Sequence, residues 1–348
     1  MPVIALDATY STGNELTGVG IYSREILYGL AAFQEDVRFL HCFRPHRLGK
    51  SLGSAMPHNC GRALLGESWI FPPARISLFH GLNQRMPLRR FRRSVCTFHD
   101  LFVMTGEYST PEFRARFTQQ AREAAARADL IVTVSAFTAN QVQSLLGVEA
   151  ARTRVVHHGV RTLPEPVVAV REPVILNVGA IQHRKNIVRL IRAFERVPAP
   201  WRLVLAGSPN GYGADQALAA AGSSPARARI EITGYVSMKR LAALYASASV
   251  FAFPSLDEGF GMPVLEAMAQ GLPVLSSNRS ALPEVCGDAA LLVDPESEEE
   301  MGEALIALTS DEGLRDGLAR RGRTHAATFR WRSAVEQTWS VYRELGAV

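Results

Sequence analysis

Residues 249–266 constrain the fold of this chain more than any other stretch, because an apolar segment runs directly into a glycine-rich turn and a helix-like segment. The apolar run that opens it is typical of a buried strand. Gly259 and Gly261 allow backbone angles that other residues disfavour, and they leave room for a ligand beside the main chain. Pro263 suits the first position of a helix. The stretch therefore predicts a strand, a turn and a helix from about residue 263 to about residue 270, the repeating unit of a doubly wound α/β sheet.

The start of this helix and two carboxylates make the turn a candidate ligand site. Unpaired N–H groups and the positive end of the helix dipole would face the glycines, which suits an anion such as a diphosphate. Glu258 lies on the turn and Glu266 lies in the opening turns of the helix. Because a carboxylate accepts hydrogen bonds from vicinal hydroxyls, sugar and ribose are natural partners. A surface turn with two solvated glutamates is the alternative that this stretch alone leaves open.

A second glycine turn carries cations. An apolar strand at residues 174–178 leads to Gly179, and Arg184 and Lys185 follow at the start of the next predicted helix. Two cations beside free N–H groups match the needs of a diphosphate leaving group, because bond cleavage loads negative charge onto it. We therefore expect this turn to bind phosphate.

The first half of the chain opens with the same kind of unit. Residues 1–7 predict a strand, and a loop with Gly18 and Gly20 leads into a helix. These glycines do not form a dinucleotide fingerprint, which disfavours a nicotinamide oxidoreductase. A later apolar strand ends at His99 and Asp100, at the edge where an open α/β sheet collects its ligands. For the glycine loop, the alternative is a tight turn that simply needs glycine. For His99, the alternative is a hydrogen-bonded structural residue.

Length and composition limit the class of protein. With 348 residues the chain exceeds one typical core, so two domains are expected. No apolar run approaches the roughly 18 residues that span a bilayer, and the first residues lack the basic segment of a signal peptide, so the cytoplasm is the expected compartment. The four cysteines are scattered, which argues against a zinc site or a disulfide framework.

The residues of the first candidate site, continued to residue 290, closely resemble the family 4 retaining glycosyltransferases of GT-B fold. Two glutamates with seven residues between them are the hallmark of that family. Glu258 and Glu266 have this spacing, with Gly-Phe-Gly and a proline between them. His99 and Asp100 match the family's His-Asp signature, and the resemblance covers essentially the whole chain.

The resemblance implies the GT-B fold, two doubly wound Rossmann-like domains that face each other across a cleft. The expected domains are an acceptor-side domain at 1–165, a nucleotide-sugar-binding domain at 166–328 and a C-terminal helix at 329–348 that crosses back to the first. The proline-rich segment 161–166 is the predicted linker. An apolar stripe at helical spacing between residues 331 and 342 agrees with a packed terminal helix.

The resemblance also implies roles for individual residues. Glu258 would stabilise the positive charge that develops on the sugar, His99 would contact the sugar, and the family's Arg-Lys pair would hold the diphosphate. Two positions depart from the usual motifs: Ala180 stands where the family commonly has arginine, and His158 stands where it has asparagine. The candidate catalytic residues are Glu258, His99, Lys185 and Arg184. The candidate positions for binding the nucleotide sugar are Gly18, Gly20, Gly179, Tyr235, Val236, Gly259, Phe260, Gly261, Met262, Pro263 and Glu266.

The expected reaction moves a sugar from a nucleotide donor to a hydroxyl with retention at the anomeric carbon. No metal is expected, since cations and a helix start can neutralise the diphosphate and no Asp-x-Asp cluster occurs. Arg184-Lys185-Asn186 resembles mannosyl- and rhamnosyl-transferring members of bacterial surface-polysaccharide pathways, which favours GDP-mannose as donor and a glycan or lipid-linked acceptor. The alternatives are a UDP- or dTDP-sugar donor, a nucleotide-sugar-binding protein without transfer, and a disaccharide phosphorylase.

A basic segment between two predicted strands suggests a further partner. Arginines alternate there with apolar residues, which suits contact with an anionic membrane at the inner face. Aromatic stacking platforms for nucleic acid are missing, so no nucleic-acid partner is expected. A solvated basic face is the alternative. The arginines are Arg85, Arg89, Arg90, Arg92 and Arg93.

Overall fold

The computed structural model describes residues 2–13, 16–53, 55–164 and 170–348. Within these residues the chain forms two compact α/β units. Unit 1 comprises Met1–Thr105, Thr110–Gly159 and Arg330–Val348, and unit 2 comprises Gly106–Ser109 and Val160–Phe329. The predicted domain boundary between residues 165 and 166 lies outside the described residues.

The sheet of unit 1 contains eight described strands in the order β4-β3-β2-β1-β5-β6-β7-β8. All neighbours pair in parallel except the short β4, which pairs antiparallel with β3. The chain winds outward from β1 in both directions, so the switch point lies between β1 and β5. The strands are β1 (Val3–Asp7), β2 (Arg38–Phe43), β3 (Cys60–Leu65), β4 (Ile70–Phe71), β5 (Leu78–Gly81), β6 (Ser94–Phe98), β7 (Leu130–Thr133) and β8 (Thr153–Val155).

The helices of unit 1 begin at side-chain caps that the sequence supplies. Thr17, Thr110 and Ser135 each accept a hydrogen bond from a main-chain N–H of the first turn, at the starts of α1, α4 and α5 respectively. These helices are α1 (Gly18–Phe33), α2 (Pro45–Ser51), α3 (Phe102–Thr105), α4 (Pro111–Arg127), α5 (Ala136–Leu146) and the terminal helix α13 (Trp331–Glu344).

The terminal helix α13 packs against α1 within unit 1. Gly29 on α1 makes the close approach possible, because a Cβ atom there would lie 2.4 Å from Cγ2 of Val335. Val335, Trp339 and Tyr342 of α13 belong to the same buried cluster as Leu27 and Leu30 of α1. The apolar stripe of the C-terminal segment is therefore part of the core of unit 1.

Unit 2 has a parallel sheet of six described strands in the order β11-β10-β9-β12-β13-β14. The chain runs outward from β9 through β10 and β11, then returns to the other side of β9 with β12. The switch point therefore lies between β9 and β12, where a ligand crevice is expected in a doubly wound sheet. The strands are β9 (Val174–Val178), β10 (Arg202–Ala206), β11 (Ile230–Gly234), β12 (Val250–Phe253), β13 (Val274–Ser277) and β14 (Leu291–Val293).

The helices of unit 2 cover both faces of this sheet, as a doubly wound topology requires. Helix α9, which follows the glycine turn, begins one residue earlier than the sequence predicts. The helices are α6 (Ile187–Phe194), α7 (Ala214–Ser223), α8 (Met238–Ser247), α9 (Met262–Ala269), α10 (Leu282–Cys286), α11 (Glu298–Ser310) and α12 (Glu312–Ala326). Across the described part of the chain, no helix combines the length and the apolar character that crossing a membrane requires.

Candidate functional site

The switch point of unit 2 brings two distant loops together. Strands β9 and β12 are neighbours, so the loop after each strand leaves the sheet at the same edge. Asn186, at the start of α6, fastens the loops to each other, because its side-chain amide donates to the carbonyl of Pro254 at 3.1 Å. The main-chain N–H of Leu256 donates to the carbonyl of Arg184 at 2.8 Å. Arg184 and Lys185 of the loop after β9 therefore lie beside Glu258 of the loop after β12.

Glu258 forms ion pairs with both predicted cations. Its Oε2 lies 2.9 Å from Nη1 of Arg184, and its Oε1 contacts the ammonium of Lys185. Glu258 and Lys185 are each 7% exposed. The Lys185 ammonium also lies 4.5 Å from the centre of the Phe253 ring, a cation–π distance. Three of the four predicted catalytic residues are thus in direct contact.

The two cations decide the protonation of Glu258. Burial raises the pKa of its carboxyl, but the charges of Arg184 and Lys185 and their hydrogen bonds outweigh burial and bring the pKa down to about 2. The carboxylate is therefore ionised at every physiological pH. It can accept hydrogen bonds and stabilise positive charge, but it has no proton to give as a general acid.

The glycines of both turns hold backbone conformations and contacts that a side chain would disturb. Gly261 caps α9 with φ of 107°, and a Cβ atom there would lie 2.7 Å from Cδ2 of Leu282. Gly179, with φ of 148°, lies against the Lys185 side chain, whose Cε would be 3.5 Å from an added Cβ. A side chain at Gly261 would clash with Leu282, and at Gly179 it would be strained by the backbone angle.

The rest of the glycine turn is fixed from outside. The N–H of Glu258 donates to Oγ of Ser280 at 3.1 Å. Phe260 is 5% exposed and packs edge-to-face on Phe329, with ring centres 6.0 Å apart. Met262 and Pro263 form the first turn of α9, whose N-cap residue Gly261 has no side chain to cap it. Gly259 lies between the ion pairs and this helix start.

Glu266 lies in a different charged environment, and its partners are residues that the sequence did not single out. Nη2 of Arg161 donates to its Oε2 at 2.8 Å, and Nε of Arg161 lies 2.8 Å from its Oε1. The hydroxyl of Tyr245 on α8 lies 3.0 Å from Oε2. Arg161 falls in the segment predicted as a linker and Tyr245 in an ordinary amphipathic helix, so neither carries a local signal.

His99 lies in unit 1, at the end of β6. It is 6% exposed, and its Nε2 lies 3.0 Å from the carbonyl oxygen of Leu82. Because a carbonyl only accepts, Nε2 carries the hydrogen and Nδ1 keeps its lone pair. Burial lowers the pKa of His99 to about 4, so the imidazole is neutral at pH 7. The ring is held edge-to-face by Tyr22 at 4.7 Å and stacked by His158 at 5.6 Å.

The remaining predicted ligand positions are spread over both units. Gly18 and Gly20 form the first turn of α1, and the N–H of Gly20 donates to the side chain of Thr17 at 3.4 Å. Tyr235 and Val236 follow β11 in unit 2. Tyr235 is 56% exposed, so packing in the core is not its role.

Contacts within unit 1 engage part of the basic segment. Arg85 pairs with Glu67 at 3.1 Å, and Nε of Arg93 donates to the carbonyl of Leu345 at 2.8 Å, just after α13. Arg89 lies over the ring of Phe91 at 5.7 Å. Arg90 and Arg92 are exposed, and they are the two members of the segment best placed to meet a partner. For metals, the described residues include no group of three or more His, Cys, Asp or Glu side chains that could hold an ion.

Comparison with known proteins identifies the family. Residues 17–162 match the profile described as Glycosyltransferase Family 4, and residues 163–325 match the one described as Glycosyl transferases group 1. The chain is 30% identical to the O-antigen chain mannosyltransferase B of Escherichia coli, over 95% of this chain and 97% of the relative. The chain belongs to the family 4 glycosyltransferases.

Further relatives agree with this family. The MMP alpha-(1->4)-mannosyltransferase of Mycolicibacterium hassiacum is 32% identical over 66% of this chain and 57% of its own length. Among solved structures, the sucrose-phosphate synthase of Thermosynechococcus elongatus superposes with a TM-score of 0.80 at 22% identity and full coverage of both chains. The predicted GT-B fold of two Rossmann-like domains is confirmed.

Membership of family 4 makes this glycosyltransferase an enzyme, a retaining hexosyltransferase. The alternatives of a nicotinamide oxidoreductase and of a binding protein without transfer are therefore not retained. Of the two glutamates whose spacing suggested the family, Glu258 lies at the switch point of unit 2, the edge at which doubly wound sheets bind nucleotides, and Glu266 lies in the helix that follows.

Proposed function

We propose that this glycosyltransferase transfers mannose from GDP-mannose, with retention, to a hydroxyl of a glycan or lipid-linked acceptor in bacterial surface-polysaccharide synthesis. The contact of Glu258 with both Lys185 and Arg184 at the switch point carries the proposal. Two relatives named as mannosyltransferases support the choice of sugar. The alternative is a UDP- or dTDP-sugar donor, which the donor assay must distinguish from GDP-mannose.

The cations and the helix start give the site its leaving-group chemistry. Lys185 and Arg184 lie together at the edge of the sheet, and α9 begins in the adjoining turn. A diphosphate that reaches this edge meets two positive charges and the positive end of a helix dipole. Charge that develops on the diphosphate as the glycosidic bond breaks is stabilised there, which lowers the barrier.

Glu258, Glu266 and His99 would each contact another part of the donor. The ionised Glu258 stabilises the positive charge that develops on the anomeric carbon or binds the sugar hydroxyls. Glu266 accepts hydrogen bonds from the ribose hydroxyls. His99, with Nδ1 as acceptor, receives a hydrogen bond from a sugar hydroxyl, a role that a protonated imidazole could not fill.

The test is a donor panel with purified protein. Release of nucleoside diphosphate and transfer to an oligosaccharide acceptor are measured with GDP-mannose, UDP-glucose, UDP-N-acetylglucosamine and dTDP-rhamnose. We expect turnover with GDP-mannose and retention of the α configuration in the product. Turnover only with a UDP or dTDP sugar would show that this sugar, and not GDP-mannose, is the donor. Phosphate-dependent release of a sugar phosphate would point to a phosphorylase.

We also propose that the enzyme works in the cytoplasm and docks peripherally on the anionic inner face of the membrane through the basic segment. The exposed Arg90 and Arg92, beside Leu88 at 55% exposure, support this. Flotation with vesicles that contain phosphatidylglycerol should capture the wild type and lose the Arg90→Glu/Arg92→Glu variant. Vesicles of phosphatidylcholine are the control, and equal capture by both vesicles would contradict electrostatic docking.

A further inference from the structure

We propose that Arg161 is a positioning residue of the donor site, which holds the Glu266 carboxylate ionised and oriented to bind the vicinal hydroxyls of the donor's ribose. The inference rests on the proposed function, in which Glu266 contacts the ribose. It adds a residue from the segment that the sequence predicted to be a linker.

Arg161 and Glu266 form a buried ion pair with one hydrogen bond and one further close contact. Nη2 donates a hydrogen bond to Oε2 at 2.8 Å, and Nε lies 2.8 Å from Oε1 as an ion-pair contact without a hydrogen bond. The third nitrogen, Nη1, donates to the sulfur of Met238 on α8 at 3.3 Å. Arg161 is thus fixed between α8 and α9, and with it the plane of the carboxylate.

Tyr245 completes this environment. Burial raises the pKa of Tyr245 well above its ordinary value, and the negative charge of Glu266 adds to the rise, so the hydroxyl keeps its proton and can donate. The contact of 3.0 Å from Tyr245 and the hydrogen bond from Nη2 of Arg161 account for two acceptor positions of Glu266, both on Oε2. An ionised carboxylate offers about four, so capacity for a ligand hydroxyl is left.

Arg161 is needed because Glu266 is buried and, within the part of the chain that the structure describes, Arg161 is the cation paired with it. Glu266 is 2% exposed, and burial raises the pKa of its carboxyl even though Arg161 and the hydrogen bonds from Arg161 and Tyr245 oppose the rise. Glu258, with two cations, shows the opposite direction. Among the described residues, the charged and titratable groups that face Glu266 are Arg161 from the segment before β9 and Tyr245 from α8. Without Arg161 a buried carboxyl takes up a proton and loses acceptor capacity toward a diol.

The experiment compares nucleotides that differ only in the diol. Isothermal titration gives the Kd of GDP and UDP and of their 2′,3′-dideoxy forms for the wild type, Arg161→Met, Arg161→Lys and Glu266→Gln, between pH 6 and pH 9. The wild type should bind the preferred nucleotide about 10-fold or more tighter than its dideoxy form, the scale of hydrogen bonds to a charged group. Arg161→Met should lose this preference near neutral pH and regain part of it as the pH rises.

Two controls separate positioning from damage to the fold. Arg161→Lys keeps the charge, so the pH at which the diol preference is half lost should stay closer to the wild type than in Arg161→Met. The double variant Arg161→Met/Glu266→Gln leaves no buried charge unpaired, and it should show the same diol preference as Glu266→Gln alone.

The outcomes are distinct from those that test the proposed function. An undiminished diol preference in Arg161→Met would overturn the inference, and so would tighter nucleotide binding, which would mean that Arg161 competes with the ribose. A further loss in the double variant beyond Glu266→Gln would show that Arg161 does not act through Glu266. A wild type that binds none of the nucleotides would overturn the proposed function together with the inference. Binding without any diol preference would overturn the role of Glu266 and with it the inference, but not the proposed sugar transfer.

Discussion

The two units bury polar side chains near the carboxyl ends of their central strands in opposite ways. In unit 2, Glu258 is ionised and surrounded by cations. In unit 1, four neutral groups from α1, β5, β6 and α13 form a continuous chain, which we call the buried histidine network. Its contacts run from the Tyr342 hydroxyl to Nδ1 of His80 at 2.6 Å, from Nε2 of His80 to Oγ1 of Thr97 at 2.8 Å, and from Thr97 to the Tyr22 hydroxyl at 2.9 Å.

The difference follows from the cost of a buried charge. A buried ion must be paired, whereas neutral polar groups need only hydrogen bonds to one another. Burial lowers the pKa of His80 to about 3, so the network stays uncharged at pH 7. Unit 2 supplies cations where a diphosphate is expected, and unit 1 supplies an uncharged hydrogen-bonded network whose Tyr22 packs on the His99 ring.

The largest expected effect is that unit 1 loses stability in mild acid before unit 2 does. Burial lowers the pKa of His41 and His99 to about 4 each and that of His80 to about 3, and the pKa of His158 also lies well below its ordinary value. The unfolded chain takes up protons on these residues from about pH 6.5 downward, but the folded unit does not. Stability is therefore complete above about pH 6.5 and falls toward pH 4, by about 3 kcal/mol from His99 alone.

Hydrogen exchange followed by mass spectrometry between pH 7 and pH 4 reports the two units separately. The amides of β1 and β5 should lose protection before those of β9 and β12. His158→Asn, which installs the residue usual in the family, should make the loss less steep, and replacement of the exposed His46 by asparagine is the matched control. Earlier loss in unit 2 would contradict the contrast.

Next in size is the effect of Lys185→Ala on turnover. It leaves Glu258 with one cation and removes a charge from the expected diphosphate site, so kcat should fall by about 10²-fold or more. The kcat of the Glu258→Ala variant should fall by a similar factor. Steady-state kinetics with the preferred donor measure both, and Lys239→Ala, an exposed lysine on α8, is the control. Near-normal kcat in both variants would show that this site has no role in catalysis.

The smallest effect is expected from Tyr342→Phe, which deletes one hydroxyl of the buried histidine network. Nδ1 of His80 loses its partner in a fully buried position, so unit 1 should be destabilised by about 1 to 3 kcal/mol. The free energy from hydrogen exchange of β5 gives the value. Tyr28→Phe removes a hydroxyl that donates to Ala55 at an exposed position, and a change within about 0.5 kcal/mol is expected. Equal effects of the two variants would show that the network adds no stability.

Local features of the sequence account for the strand, turn and helix of the first candidate site. An apolar run, two glycines and Pro263 specify β12 and α9 because each acts on its own neighbourhood. The same reasoning placed Lys185 and Arg184 just before the N-terminus of a helix. The position of these two cations beside a helix start was therefore predictable from residue types and short spacings.

Partners far apart in the chain were not predictable in this way. Lys185 and Glu258 are 73 residues apart, and Arg161 and Glu266 are 105 apart. Their pairing depends on strand order and on where the chain crosses into α8 and α9, which no local pattern encodes. For the same reason the basic segment could not be divided in advance into arginines that hold unit 1 together and arginines that face outward.

The sequence by itself determined the class of fold, the family and the chemical character of each turn, because glycine torsions, helix caps and apolar periodicity operate over a few residues. Only the tertiary structure decided which charges meet and which polar groups are neutral. Burial and a partner's charge shift a pKa in opposite directions, and both are set by groups that the folded sheet brings together. That is why two glutamates eight positions apart have pKa values shifted in opposite directions.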